Sequence, residues 1–331
     1  FARFIMDNYE DWINKESDDA PLMSHQLFRE RVIPMMKESD KPVYFLLIDN
    51  LRYDQWKVLE PLISEYFTVD SEEMYYSILP TTTAYSRNAI FSGMMPTEII
   101  KKYPNLWVSD DEEEGKNLNE PDFLEIQLQQ NRISDKHSYH KITNPAAGKD
   151  LNSKFNNLDN NKLNVIVYNF VDMLSHARTD SNMVRELAPD ESAYRSITRS
   201  WFVHSPLFEM LKLIADRKAR LIITTDHGTI RVKRPFKIIG DRQTNTNLRY
   251  KHGKNLGYTD KDVFTVRKPE RFFLPKANVS TTFVFAIEDY FFAYPNNYNY
   301  YVNYYKDTFQ HGGVSLEECI IPFITLTPKN V

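Results

Sequence analysis

The sequence predicts an α/β protein: a three-layer α/β/α sandwich around a mostly parallel central sheet, with insertions at one edge. Three observations carry this. Short apolar runs recur at 42–49 (PVYFLLID), 164–172 (NVIVYNFVD), 220–227 (RLIITTDH), 281–289 (TTFVFAIED) and 320–326 (IIPFITL). Runs without polar alternation are strands covered on both faces, as in parallel sheets. Helical stretches at 54–66, 85–92 and 206–217 lie between them, and strand–helix alternation builds layered α/β domains. Finally, 331 residues of which 42% are apolar suffice for a sizeable core.

Taken in order, residues 1–38 read as helical, with Ile5, Tyr9 and Trp12, then Leu27, Phe28, Val32 and Met35 at spacings near three to four. The opening, FARFIMDNYEDW, reads as mid-helix, so the expectation is a C-terminal portion of a longer protein, with 39–331 as its main domain. Two stretches break the strand–helix rhythm and are expected to be insertions. Residues 94–162 contain an acidic run, Asp110–Glu114, and an Asn-rich turn, while 236–280 are basic and polar.

Bulk properties exclude several classes. Net charge is −4, which does not suit a duplex DNA binder. Charge is nevertheless uneven: eight Lys/Arg fall between Arg231 and Lys254 against one acid, Asp241. Such a run is either a solvated loop or a landing surface for a polyanion. Cys319 is the single cysteine, so no internal disulfide forms and a reducing, cytoplasmic setting is expected. No apolar run reaches the length of a membrane span.

Three apolar runs end on metal-capable side chains: Asp49 in LLIDN, Asp172 followed by His176 in NFVDMLSH, and Asp226 with His227 in ITTDHG. Sites of open α/β sheets gather at the carboxyl ends of strands. Singly, each has an ordinary alternative, since an acid after a strand is often the cap of the next helix. Their joint placement makes the pattern specific.

At these residues the chain resembles the alkaline phosphatase superfamily. In ILPTTTAYSRNAIFSG (78–93) a hydroxyl residue, Thr83, opens a helix ten residues before Gly93. Asp49, Asp172 with His176, Asp226 with His227, and His311 before Gly312 follow the superfamily's order. The details are most similar to the PglZ branch, in particular to PorX-type response regulators, which carry such a domain after a receiver and helical linker. The resemblance implies Thr83 as nucleophile and two divalent metals. One would sit on Asp49, Asp226, His227 and the Thr83 oxygen, the other on Asp172, His176 and His311. Nitrogen and carboxylate ligands without thiolate suit zinc, with manganese as the alternative.

The chemistry agrees with this order of residues. A threonine hydroxyl is a weak nucleophile, and paired dications clamp both oxygens of an in-line displacement. Backbone N–H groups at the helix start would face the phosphoryl oxygens. The expected activity is hydrolysis of nucleotide or short oligonucleotide phosphodiesters through a phospho-threonine intermediate. The resemblance argues against a sulfatase, because 83–87 reads Thr-Ala-Tyr-Ser-Arg where sulfatases have Cys-x-Pro-x-Arg. Arg87, Asn88, Arg52, Arg249 and Lys251 are the candidates for phosphate contact, although a helix cap is the plainer role for Arg52. The Tyr-rich segment 290–305 either stacks bases or packs as an interface.

Implied partners are a sensor histidine kinase, other signalling proteins and a second copy of the chain, with no membrane insertion. The competing readings are a phosphomonoesterase, or a non-catalytic module that relays receiver phosphorylation.

Overall fold

A computed structural model describes residues 1–108, 118–240, 244–276 and 278–329, and the chain divides into two compact units. The acidic run Asp110–Glu114, and Asp241 and Arg242 of the basic segment, lie outside the described residues.

The unit formed by Phe28–Tyr75, Leu128–Gly228 and Ile321–Val331 is built on a six-stranded sheet. Its strands are β1 (Val43–Ile48), β2 (Phe67–Tyr76), β3 (His137–Ile142), β4 (Leu163–Tyr168), β5 (Arg220–Thr224) and a last strand, Ile320–Pro328. Their order is β2, last strand, β5, β1, β4, β3. β5, β1, β4 and β3 are parallel, and the last strand runs antiparallel to β5. The class is therefore α/β with a mostly parallel sheet, as expected.

Both faces of the central strands are covered. Tyr44, Leu46 and Ile48 of β1 join Ile166, Tyr168, Leu221 and Ile223 in one core. Helix Pro206–Asp216 turns Leu207, Met210, Leu211 and Ile214 onto that core, at the three-to-four spacing of an amphipathic helix. Each such side chain stabilises by roughly 1.5–3 kcal/mol. On the opposite face Phe45 meets Phe28, their ring centroids 4.8 Å apart.

Two strands depart from the sequence reading. β2 and β3 are the edges of the sheet. β2 alternates between covered and exposed positions and carries Asp70, Glu72 and Glu73, while β3 is half-buried along most of its length. Residues 94–162, expected as an insertion, thus supply an edge strand of the main sheet. The 281–289 run, expected beside the others, instead centres a separate three-stranded sheet as Thr282–Ala286.

The second unit comprises Phe1–Leu27, Tyr76–Gln127 and Thr229–Ile320. Its helix Ala2–Ile13 buries Ile5, Tyr9 and Trp12 against Tyr76, Phe272 and Phe285. The three-stranded antiparallel sheet places Thr282–Ala286 between Tyr250–Gly253 and Val263–Val266. Helix Tyr298–Tyr305 and strand Tyr290–Ala293 hold the Tyr-rich segment. Among the described residues no helix is long and apolar enough to cross a membrane.

Candidate active site

The sheet order explains why the acids meet. Asp49 follows β1, Asp226 follows β5 by one residue, and Asp172 lies two residues into the helix after β4. β5, β1 and β4 are adjacent and parallel, with Leu47 opposite Thr224 and Ile48 opposite Tyr168. Neighbouring strands lie about 4.8 Å apart, so their carboxyl ends bring the three acids to the same edge of the sheet.

Asp49, Asp226 and His227 form a cluster whose ligand atoms all lie within 4.8 Å of one another. Their exposures are 2%, 0% and 0%. His227 Nε2 stands 4.0 Å from Asp49 Oδ1 and 3.7 Å from Asp226 Oδ2. His227 Nδ1 lies 3.1 Å from the carbonyl oxygen of Gly228. A carbonyl only accepts, so Nδ1 bears a hydrogen, and Nε2 is the ring atom that faces the two carboxylates. Metal-bound histidines are held by this kind of outer hydrogen bond.

The cluster is braced by residues that the sequence reading did not single out. Asn50 takes a left-handed conformation, φ 64°, which asparagine tolerates better than most residues. Its backbone N–H donates to Asp226 Oδ1 at 3.4 Å, and its Nδ2 reaches Asp172 Oδ1 at 3.5 Å and Ser175 Oγ at 3.3 Å. One residue thus ties the three strand ends together. Thr225 Oγ accepts from Leu51 N–H at 3.0 Å and donates to the His227 carbonyl at 2.9 Å. An asparagine directly after a strand-end acid was the available signal for Asn50; Thr225 had none.

Donor chemistry tests whether a cation fits. Two carboxylates buried this close repel one another unless positive charge offsets them. Two carboxylate oxygens and one imidazole nitrogen are the mixed donor set that divalent transition metals take. The residues fit such an ion. Asp172 is half-buried on helix Phe170–Asp180, and Ser175 Oγ donates to its carbonyl at 2.8 Å. His176 lies on the same helix, with its side chain outside the description.

Thr83 and His311 belong to the other unit. Thr83 is half-buried and opens a turn, Thr83–Arg87, that continues as helix Asn88–Ser92 and ends at Gly93, φ 66°. The helical start and the glycine stop fall where the sequence put them. His311 Nδ1 lies 3.1 Å from the Thr81 carbonyl, which can only accept, so Nδ1 bears a hydrogen. Thr81 Oγ accepts from Gly312 N–H at 3.0 Å and donates to the Gly313 carbonyl at 3.0 Å. Thr81, another residue the sequence reading passed over, therefore links the segment before Thr83 to the loop of His311.

The arginines expected at phosphate are engaged elsewhere. Arg249 is 0% exposed; its Nε and Nη2 donate to Glu318 at 3.0 and 2.7 Å, and Nη1 donates to the Tyr290 carbonyl. Arg87, also 0% exposed, lies 3.6 Å from Glu120. Arg52 starts helix Tyr53–Ile63 and binds Asp54 at 2.6 Å and Glu191 at 2.7 Å. Buried guanidinium groups require such partners, which Arg249 and Arg52 have at hydrogen-bond distance within the fold. Asn88 is buried, with Nδ2 on the Ala84 carbonyl at 2.9 Å. Lys251 is buried, with Nζ on the Asn245 carbonyl at 2.7 Å. Within the basic segment, Arg231 pairs with Asp307 and Arg234 with Asp289, while Lys233, Lys237 and Lys254 are exposed.

The fold is similar to that of murine ectonucleotide pyrophosphatase/phosphodiesterase 5, with a TM-score of 0.53 at 13% identity over 86% of this chain and 88% of that one. The human form gives 0.52 at 12% identity, over 86% and 87%. Phosphonoacetate hydrolase from Sinorhizobium meliloti 1021, in complex with phosphonoformate, gives 0.52 at 13% identity over 86% and 89%. At such identities the likeness concerns the fold. No curated protein matches the sequence itself. A family model does: that of the BREX system PglZ alkaline phosphatase-like domain, over residues 27–326. Since that match takes in the strand-end cluster and the segments of both Thr83 and His311, the chain belongs to the PglZ family of alkaline phosphatase-like domains.

Proposed function

We propose that the chain is a metal-dependent phosphodiesterase acting on nucleotide or short oligonucleotide esters, with Thr83 as nucleophile. The observation that carries the proposal is the buried Asp49–Asp226–His227 cluster, with His227 Nε2 facing two carboxylates. Asp49, Asp226 and His227 would hold one divalent ion, zinc by donor type. Asp172, His176 and His311 would hold a second, an assignment that rests on the sequence resemblance. Bound there, such ions offset the charge of a phosphoryl group and lower the pKa of a coordinated hydroxyl.

The chain's own residues supply the rest. The Thr83 Oγ–P bond forms as the bond to the leaving alkoxide breaks and the hydroxyl proton ends on that alkoxide, giving the released alcohol and a phospho-Thr83 that still carries the second ester group. Water then attacks the same phosphorus, regenerates the Thr83 hydroxyl and releases the phosphomonoester. Asn50 and Thr225 keep Asp226 and His227 in place through both steps. The names of the structural neighbours, a nucleotide phosphodiesterase and a phosphonoacetate hydrolase, motivate the phosphorus-centred substrate class. A role as effector of a two-component response regulator, with a histidine kinase upstream, belongs to the same proposal and rests on the resemblance to PorX-type proteins.

The test is hydrolysis of bis-p-nitrophenyl phosphate, with p-nitrophenyl phosphate and phosphonoacetate as comparison substrates. Wild type and Thr83→Val are assayed with metal content determined on both. The expected result is diester hydrolysis by wild type and a fall of at least ~100-fold in Thr83→Val. A fully metallated wild type without turnover on any of the three would refute the enzymatic reading and favour a signalling module.

A further inference from the structure

A cavity of about 590 Å³ is lined entirely by residues of the unit that holds residues 229–320. That volume falls in the range of small-molecule sites. It shares no residue with the Asp49–Asp226–His227 cluster. Its walls combine Phe292, Tyr294, Tyr301 and Tyr305 with one cationic side chain, Lys251. Tyr301 and Tyr305 stack with ring centroids 6.2 Å apart and an interplanar angle of 12°, and Tyr301 remains 39% exposed.

Lys251 is unusual for its type. It is 1% exposed, and lysine is seldom buried without an acidic partner. Its amine donates to the Asn245 carbonyl at 2.7 Å and lies 4.7 Å from the centroid of the Tyr294 ring. No carboxylate lines the cavity among the described residues. An ammonium has three donors, and no second acceptor among the described residues is bonded to it. Burial lowers its pKa from 10.5 to about 7, so an anion entering the cavity would gain a charge-assisted hydrogen bond and restore full protonation. The tyrosine faces suit a planar ring.

We propose that this cavity binds a small aromatic anion, with the ring against Tyr294 and Tyr301 and the anionic group on Lys251. The chemistry is shared by mononucleotides and aromatic carboxylates, and the test separates them. Lys251 is acetylated in the full-length chain with a limiting amount of reagent, and its labelling rate is followed by peptide mass spectrometry. The probes are AMP and 4-hydroxybenzoate, with adenosine and inorganic phosphate at equal concentration as ring-only and anion-only controls. Exposed lysines serve as internal reference.

One or both aromatic anions should slow Lys251 labelling by at least ~10-fold, while the controls change it less than ~2-fold. Protection by AMP alone identifies a nucleotide source, and by 4-hydroxybenzoate alone a carboxylate source. Tyr301→Ala, at a ring that is 39% exposed, should weaken the protection several-fold. The proposal is overturned if neither anion protects, if adenosine or phosphate protects equally, or if Tyr301→Ala changes nothing. A Lys251 that resists labelling even without probe would overturn it too, because the cavity would then be closed to small molecules. The readout sits on Lys251 itself, so it stands or falls separately from the hydrolysis assay.

Discussion

Replacing Glu318 by glutamine tests whether Arg249 is a structural residue rather than a phosphate contact. Both side chains are 0% exposed. The Glu318 carboxylate accepts from Arg249 Nε and Nη2 at 3.0 and 2.7 Å, from Gly313 N–H at 2.9 Å and from Ser315 Oγ at 2.6 Å. Glutamine keeps the volume but turns an NH2 group toward donors and removes the negative charge. A buried guanidinium then lacks its counter-charge, which costs about 3–5 kcal/mol. Arg249→Met leaves the carboxylate with Gly313 and Ser315 still bonded, so about 2–4 kcal/mol is expected. The double variant removes both charges and should recover at least ~1.5 kcal/mol relative to the sum of the singles. Urea denaturation of the four proteins, with the slope of each transition checked for constancy, gives the coupling. Additive losses, or an Arg249→Met protein of unchanged stability that has lost only phosphodiester hydrolysis, would refute the structural assignment.

Three further outcomes are expected. If Asp226 holds a metal, Asp226→Asn should contain far less of it than wild type by elemental analysis, and chelator should lower the melting temperature of wild type but not of the variant. Gly93→Ala places a Cβ 2.5 Å from Gln127 Oε1 at a φ of 66°. Gln127 cannot swing aside, because its Nε2 is bonded to the Ile90 and Phe91 carbonyls at 2.9 and 2.8 Å, so a loss of about 2 kcal/mol is expected in thermal denaturation. Lys251 carries a burial cost that is complete below its folded pKa of about 7 and relieved as pH rises toward the unfolded 10.5. In that window the unfolded chain binds more protons, so stability rises with pH. Lys251→Met should therefore be more stable than wild type near neutrality, with the gap in melting temperature closing at alkaline pH.

What the sequence made legible follows from what surrounds each segment. β1, β4, β5 and the last strand have neighbours on both sides and cover on both faces, so their apolar runs are continuous and easily recognised. β2 and β3 have one neighbour each, and an edge strand carries polar and charged residues as protection against further pairing. Asp70, Glu72 and Glu73 in β2, and His137, His140 and Lys141 in β3, hid those strands for that reason. TTFVFAIED is equally apolar but pairs with two strands of its own small sheet, a choice of partner that no local pattern encodes. The acids at strand ends were legible because chain position alone puts them at the sheet's carboxyl edge. The arginines were not: Arg249 and Arg87 bear the charge that suits a phosphate, and their partners Glu318 and Glu120 lie 69 and 33 positions away.

The three consecutive threonines show how finely the chain divides labour beneath the resolution of a motif. Thr81, Thr82 and Thr83 are chemically alike, and only the count to Gly93 singles out Thr83. In the structure Thr81 is buried and spends its hydroxyl and its carbonyl on residues 311–313. Those bonds place a hydrogen on His311 Nδ1. Asn50 does the corresponding work in the other unit, where its N–H and its amide hold Asp226 and Asp172. In each case the residue beside the expected ligand, rather than the ligand itself, fixes the orientation. A ligand type is constrained by its own chemistry and therefore stands out in a sequence. An orienting residue needs only a donor or acceptor at the right place, a requirement that Asn, Ser or Thr can meet, so it becomes visible only once the backbone path is known.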